Sequence, residues 1–392
     1  MYADKDYIIS LRHEIHEYPE IGFELPKTIA VVKRELDSLG IEYTEKYGES
    51  SVVGIINPDK KHFTIGIRAD MDALLIEEKT DLPFKSKIKG QMHACGHDAH
   101  TAMLLGTAKA LKAMEDKIAC RVMLVFQPSE EGARSGAAEL VEGGLMDEID
   151  VIIGMHIENW LNSGKIGICK GNSMASCRNF KLEFFGHTAH ASLPQTGKDA
   201  LAAAVATYNG IQTMLTRKVD PFARYICSVG RLDAGTTQNV IADYAKMLGT
   251  IRTYDLELDR MIIENIEDIA EKSAEIFGCT YKGTTKLLDA VVYNDPEISD
   301  LVLESAKKLI GEENIAEMPI KMSSEDFANY LLKKPGVFIR LGTRNEEKGI
   351  TTLPHNNDFM IDEDALPVGT DVSVQFVLDN MNGIDIKLKN KD

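Results

Sequence analysis

Long hydrophobic runs are missing from this chain of 392 residues. No apolar stretch reaches the roughly 18 residues a membrane-spanning helix needs, so no membrane partner is expected. The first residues, Met-Tyr-Ala-Asp-Lys-Asp, carry neither the basic nor the apolar region of a secretory signal, and a cytoplasmic location is expected. Cysteine is sparse. Six in a chain of this length do not make a disulfide framework, which fits a reducing compartment. Positive charge is also short, with 44 Lys and Arg against 61 Asp and Glu, a formal net charge of -17. No basic stripe interleaved with aromatics is present, which argues against a nucleic-acid partner. The short basic stretch from Lys387 to Lys391 reads as a solvated end. What the chain does have is 44% apolar residues, enough to bury a full core and to build two domains.

The most constraining segment is His-Ala-Cys-Gly-His-Asp-Ala-His at 93–100, which sets three imidazoles, a thiol and a carboxylate within a few residues. Thiol and imidazole both bind first-row metals, and both must be deprotonated to do so. The spacing matches no standard structural zinc motif, so a buried thiol in a polar loop is the plain alternative. Further ligands have to come from distant positions.

Four short apolar runs supply candidates. Residues 121–128 turn through Ser129 into the pair Glu130 and Glu131. Residues 151–156 end on His156, and residues 336–342 are followed by Leu-Pro-His-Asn-Asn with His355. Residues 63–68 open into Ala-Asp-Met-Asp-Ala-Leu, where alternation sets Asp70 and Asp72 on one side of an extended segment. One of these could orient a ligand imidazole, or the pair could cap the following turn. Ligands in open α/β sheets bind beyond the carboxyl ends of the strands, so these edges are expected to converge.

A different pattern occupies the middle of the chain. Residues 179–187 alternate as a strand, 198–217 form an alanine-rich helix, and 224–232 and 243–253 read as strands. Residues 256–277 make an amphipathic helix with Ile262, Ile263, Ile266, Ile269 and Ala270 near helical spacing, and 279–288 close the set as a strand. That order is the ferredoxin-like split unit. An α+β domain at 178–288 is therefore expected to interrupt a larger α/β domain built from 1–177 and 289–392.

Taken in order, Ala-Asp-Met-Asp-Ala-Leu, His-Ala-Cys-Gly-His-Asp-Ala-His, Gln-Pro-Ser-Glu-Glu-Gly, Gly-Met-His and Ser-Glu-Asp-Phe (324–327) give the chain a family likeness. It resembles the metal-dependent amidohydrolases and exopeptidases of the aminoacylase and carboxypeptidase G type. Within them it is most similar to the hippurate hydrolases, indole-acetyl-amino-acid hydrolases and N-acetyl-diaminopimelate deacetylases. The likeness runs from Leu-Arg-His-Glu-Ile-His-Glu-Tyr-Pro-Glu at residue 11 to Asp362-Glu363.

The resemblance implies a dinuclear-metal, exopeptidase-like α/β catalytic domain holding two divalent ions, zinc or manganese, with cobalt or nickel accepted in vitro. Cys95 would bridge them, with His97, Glu131, His156 and His355 as the remaining ligands. Glu130 matches the general base and Asp72 the carboxylate that supports the site. Asp70 stands where sister branches carry a histidine ligand. The inserted domain would act as lid and dimerisation domain, making the protein a homodimer or a dimer-based oligomer. His190, in Gly-His-Thr-Ala-His-Ala-Ser-Leu-Pro, matches a donor to the developing oxyanion that reaches the partner's site. Asn239 and Arg252 match positions that hold the substrate carboxylate, a task the planar arginine fork suits. The implied reaction is hydrolysis of the amide bond of N-acyl amino acids or dipeptides, with the acyl group left open.

Physical chemistry gives these roles reasons. Paired metals lower the pKa of water from 15.7 to roughly 7 and can hold both the water and the substrate oxygen. Adjacent glutamates on a strand point opposite ways, so one can ligate while its neighbour faces the water and moves its proton. Departures from the family pattern are Leu75 and Ala242, each in place of proline, and Gln195 in place of histidine. None is an implied ligand. Two other classes remain. A Cys95–His97 thiol hydrolase would leave Glu131, His156 and His355 without a task, and a non-catalytic dimeric binding protein would have no use for an intact ligand set and base.

Overall fold

A computed structural model describes residues 1–384. The chain divides into two compact units, Met1–Ser173 with Tyr293–Ile320 and the chain from Asp326 onward, and Met174–Val292 with Lys321–Glu325. The short return at 321–325 goes with the second unit for a local reason. Ala175 N–H donates to the carbonyls of Lys321 and Ser323, each at 3.1 Å, and the Ser324 hydroxyl donates to Asp289 at 2.7 Å. Lys387 to Lys391 lie outside the described residues.

The first unit is built on an eight-stranded sheet in the order Glu42–Thr44, Val52–Ile56, Arg121–Gln127, Thr64–Asp70, Val151–Asn162, Gly336–Arg344, Ile166–Ile168, Ile315–Glu317. The four central strands run parallel. They are buried along nearly their whole length, which is why they read in sequence as continuous apolar runs instead of alternating ones. Ile65, Ile67, Val122, Leu124, Ile153 and Ile339 carry the sheet's share of the core. Helices Lys5–His16, His97–Lys112 and Leu366–Asn380 pack on one another over the same core.

The second unit is a four-stranded antiparallel sheet in the order Thr280–Asp289, Cys177–Phe185, Tyr244–Thr253, Tyr225–Ala234. Numbered by sequence within the unit, that is 4-1-3-2, the order of the split βαβ arrangement. Its helices, Ala200–Lys218 and Leu256–Ile276, cover one face. Ile262, Ile263, Ile266 and Ala270 are buried against Phe180, Leu182, Phe184 and Met247, with Ile269 half-buried beside them. No helix among the described residues is long and apolar enough to cross a membrane.

Candidate metal centre

Two of the parallel strands of the first unit, Arg121–Gln127 and Thr64–Asp70, end side by side, and the candidate ligands sit at or just beyond that edge. His156 lies in the middle of Val151–Asn162 and not at its end, as the sequence pattern implied. Register explains how it still reaches the edge. Arg68 pairs with Gly154, and Asp70 pairs with Gln127, the last residue of Arg121–Gln127. His156 is therefore level with the point where Thr64–Asp70 beside it and Arg121–Gln127 beyond that stop, and its own strand runs on past them alongside Gly336–Arg344.

The His-Ala-Cys-Gly-His segment meets this edge through a helix start. Gly96 caps His97–Lys112 with φ +85°, a left-handed conformation, and a Cβ there would lie 2.6 Å from Ile157 Cγ1. Only glycine combines that backbone with so close an approach. His97 and Asp98 thus open a helix instead of continuing a loop. The Asp98 carboxylate is taken by Arg12 at 3.0 Å and by His16 Nδ1 at 2.8 Å, which ties helix Lys5–His16 to the site.

After Gln127 the chain leaves the strand through Ser129, at φ +51°, into an irregular turn carrying Glu130 and Glu131. Strand alternation therefore does not separate the two glutamates; the turn does. Asp72 holds this turn, accepting the backbone N–H of Glu130 at 3.0 Å and of Glu131 at 3.1 Å. The same carboxylate lies 3.4 Å from His97 Nδ1. One buried side chain thereby sets both the glutamate pair and a histidine.

Side chains from four chain segments converge. Cys95, His97 and His156 form one triad and Cys95, Glu131 and His355 another, each with candidate ligand atoms within 4.8 Å of one another. Cys95 belongs to both. His97, Glu130 and Glu131 form a third group on the same terms. Cys95 Sγ lies 3.4 Å from His156 Nε2, while His156 Nδ1 donates to the Ile157 carbonyl at 2.5 Å, leaving the Nε2 lone pair turned toward the thiol. His355, at φ +65°, is anchored by its N–H to the Ala94 carbonyl at 2.8 Å. Its Nε2 is 2.9 Å from Glu131 Oε1, a charge contact whose alignment leaves that oxygen without a hydrogen bond.

Electrostatics favour cations here. Burial, then Glu131, Glu130 and Asp70, push the Cys95 thiol well above its ordinary value. Burial opposes charge on His97, but Asp70, Asp72 and Glu131 outweigh it and hold the ring up to about 10. Burial followed by His100 and Arg340 keeps His156 neutral, well below its usual range. Among the described residues, both nitrogens of the fully buried His97 lack a hydrogen bond, a costly arrangement unless another partner is supplied. Sulfur, imidazole and carboxylate donors with an excess of negative charge fit two divalent transition-metal ions, which are also what would let a buried thiol ionise.

Comparison with known proteins agrees with that geometry. The model of Peptidase family M20/M25/M40 matches residues 66–379. The chain belongs to this family. It is 39% identical to thermostable carboxypeptidase 1 of Saccharolobus solfataricus over 370 residues, covering 93% of each chain. It is 36% identical to N-acetyl-L-cysteine deacetylase of Bacillus subtilis over 359 residues, 92% of this chain and 84% of that one. Among solved structures, a dinuclear metal-binding peptidase of the M20 family from Bacillus subtilis superposes with a TM-score of 0.83 at 32% identity, over 97% of this chain and 99% of that one. As an M20/M25/M40 member the protein is a metal-dependent amidohydrolase of the peptidase-like type.

Three further sequence candidates of this M20/M25/M40 chain lie in the second unit. His190 is exposed in the segment after Cys177–Phe185, with Nδ1 2.7 Å from the Ser192 hydroxyl. It forms an isolated antiparallel bridge with Val240, and Ala191 N–H donates to the Asn239 carbonyl at 3.0 Å, so His190 and Asn239 are neighbours. Arg252 is half-buried on Tyr244–Thr253, donating to the Met322 carbonyl at 3.2 Å.

Sequence reasoning missed the supports. His100 sits one turn after His97, a spacing that could have flagged it. Asn159 is buried and donates to the carbonyls of Thr352 at 2.7 Å and Met360 at 2.8 Å, bracketing the segment that carries His355. Arg68 is wholly buried, bonded to Asp70, Gln127 and Asp326 at 2.6, 2.8 and 3.0 Å. No local pattern marks either of these two.

Proposed function

We propose that the protein hydrolyses the amide bond of N-acyl amino acids at a dinuclear metal site, whose two ions would be held by Cys95, common to both donor groups, with His97, Glu131, His156 and His355. The observation that carries this reading is the pair of triads with Cys95 in common, set against a glutamate pair held by Asp72. Bound divalent ions supply Lewis acidity toward the substrate carbonyl and an attacking water acidified to near-neutral pKa. Glu130 would act as general base, taking a proton from the attacking water and passing it to the leaving amine. Asp72 keeps Glu130 and Glu131 in place through their N–H groups and orients His97 from behind.

The second unit is assigned the role of lid and dimerisation domain, spanning about the inserted 178–288 region, in a homodimer. His190 donates to the developing oxyanion and Asn239 and Arg252 receive the substrate carboxylate; the chemistry of each side chain supports the assignment. The six cysteines are all free thiols, which supports a reducing, cytoplasmic setting. Zinc and manganese both suit the mixed donor set. A peptidase reading, cleavage of dipeptides or of a C-terminal residue, is favoured by the carboxypeptidase relative.

Metal-free protein assayed with added zinc, manganese or cobalt against a panel of N-acetyl, N-benzoyl and N-indole-acetyl amino acids and dipeptides tests the proposal. Metal-dependent release of free amino acid from an N-acyl substrate is the expected result. Full activity in protein shown by elemental analysis to hold no metal would refute it, and turnover confined to dipeptides would replace it by the peptidase reading. His190→Ala is expected to bind metal normally and lose turnover by roughly 2.7 to 4 kcal/mol. Mixed His190→Ala and Glu130→Gln protomers should regain activity if His190 works in the partner's site.

A further inference from the structure

His100 is buried, with 2% of its surface exposed, and packs between two proposed ligands. Its ring centroid is 5.4 Å from that of His97 and 4.6 Å from that of His156. Proximity alone would admit it as a ligand, since Asp70, His97 and His100 also form a compact donor group. Its hydrogen bonds argue otherwise. Nδ1 lies 2.6 Å from Asp70 Oδ1, and Nε2 accepts the Ile157 backbone N–H at 2.9 Å. Because Nε2 accepts an N–H, Nδ1 is the nitrogen that carries the proton, directed at Asp70, and the Nε2 lone pair is already spent, so no lone pair is left for an ion.

What that bond holds is specific. The pairing of Thr64–Asp70 with Val151–Asn162 stops at Arg68 and Gly154, so beyond it the Ile157 N–H lies outside that ladder. His100 fills the place. The carbonyl of the same Ile157 accepts His156 Nδ1–H. Ile157 thus stands between the two imidazoles, bonded to His100 through its N–H and to His156 through its carbonyl. Arg68, bonded to Asp70, Gln127 and Asp326, anchors the far end of the chain of contacts.

We propose that His100, oriented by Asp70, is a positioning residue that aims His156 through Ile157 at the ion held by Cys95, His97 and His156; this rests on the ligand reading above. It predicts an effect on one of two ions. The ion on the Cys95, Glu131 and His355 side does not depend on it.

Two polar variants of similar size provide the test. His100→Gln keeps an acceptor at the reach of Nε2, while His100→Asn is too short to meet the Ile157 N–H and still reaches Asp70. Metal-free full-length protein of each is titrated with cobalt(II) against a competing chelator, with bound metal counted and a thermal melt recorded. His100→Asn is expected to weaken one of the two cobalt ions by about 10–100-fold and leave the other unchanged, and His100→Gln to restore it to within about threefold. His156→Ala serves as control and should abolish the same ion. Unchanged binding of both ions in His100→Asn, equal weakening of both, or outright loss of one ion in His100→Gln would each overturn the proposal, the last by making His100 a ligand. Two tightly bound ions in His156→Ala would refute the ligand reading itself, a separable outcome.

Discussion

Asp72→Asn isolates the one carboxylate on which three elements of the site depend. Its oxygens accept the N–H groups of Glu130 and Glu131, and one of them lies 3.4 Å from His97 Nδ1. The asparagine has the same shape, so no cavity opens, but one of the two oxygens becomes an NH2 group facing a backbone N–H. One charge-assisted hydrogen bond, worth about 1.5–3 kcal/mol, is lost, and the other falls to the neutral value of about 0.5–1.5 kcal/mol. Together these cost about 2.5–4.5 kcal/mol, which falls on the turn that carries Glu130 and Glu131 and on His97. At about 1.4 kcal/mol per decade that bounds the loss of metal affinity at roughly 10²–10³-fold, and removal of a carboxylate that supports a metal ligand commonly costs about 10–100-fold. The assay is titration of metal-free protein with cobalt(II), with steady-state turnover measured at saturating metal so that binding and chemistry separate. Turnover should remain depressed at saturation, because Glu130 is released along with Glu131. Wild-type affinity and wild-type turnover in a folded Asp72→Asn protein would refute the reasoning.

Glu130→Gln is expected to keep its metal and lose about two to four orders of magnitude in turnover, and loss of metal in elemental analysis would show that the base and the ligand have been exchanged. Gly96→Ala forces a left-handed alanine, costing about 1–2 kcal/mol, against Ile157 Cγ1 at 2.6 Å, costing about 1–3 kcal/mol more; a urea-melt difference under about 1 kcal/mol would contradict the close approach. Asn159→Leu strips two partly buried carbonyls of their donors, at up to about 1–3 kcal/mol each, and should weaken the ion on the His355 side more than the other in the same cobalt titration. Glu148 is held down to about 2 by the Tyr47 hydroxyl and then Lys46 and Arg121, against burial. A depressed carboxyl stabilises above its unfolded pKa and loses that contribution as pH falls through the folded one. The stability gap between wild type and Glu148→Gln should therefore be flat above about pH 5 and close between about 4.5 and 2, and a gap independent of pH in thermal melts would count against this.

How far the sequence could be read followed from the range of the forces involved. The central strands were visible as apolar runs because burial on both faces imposes a local composition, and the helix Leu256–Ile276 was visible because Ile262, Ile263, Ile266 and Ala270 share one face by spacing alone. Boundaries were less legible. His156 looked like a strand end because its apolar run stops there, whereas the strand continues to Asn162 by pairing with Gly336–Arg344. The glutamate pair looked like strand residues, yet the left-handed Ser129 and the grip of Asp72 make their geometry that of a turn.

The sequence by itself determined the inventory: which thiol, imidazoles and carboxylates the chain owns, and which short runs deliver them. Only the tertiary structure decided their grouping. Cys95, Glu131, His156 and His355 are far apart along the chain, and it is the parallel register of Thr64–Asp70, Arg121–Gln127, Val151–Asn162 and Gly336–Arg344 that brings their segments to one edge. Tertiary structure also decided which of three neighbouring imidazoles is left with unpaired nitrogens at the cluster. His97 and His100 share a helix face and a composition, but Asp70 and the Ile157 N–H use up both nitrogens of His100 and leave those of His97 without a hydrogen bond. A side chain's chemistry is local, whereas the partner that occupies its lone pair is chosen by packing between segments distant in sequence.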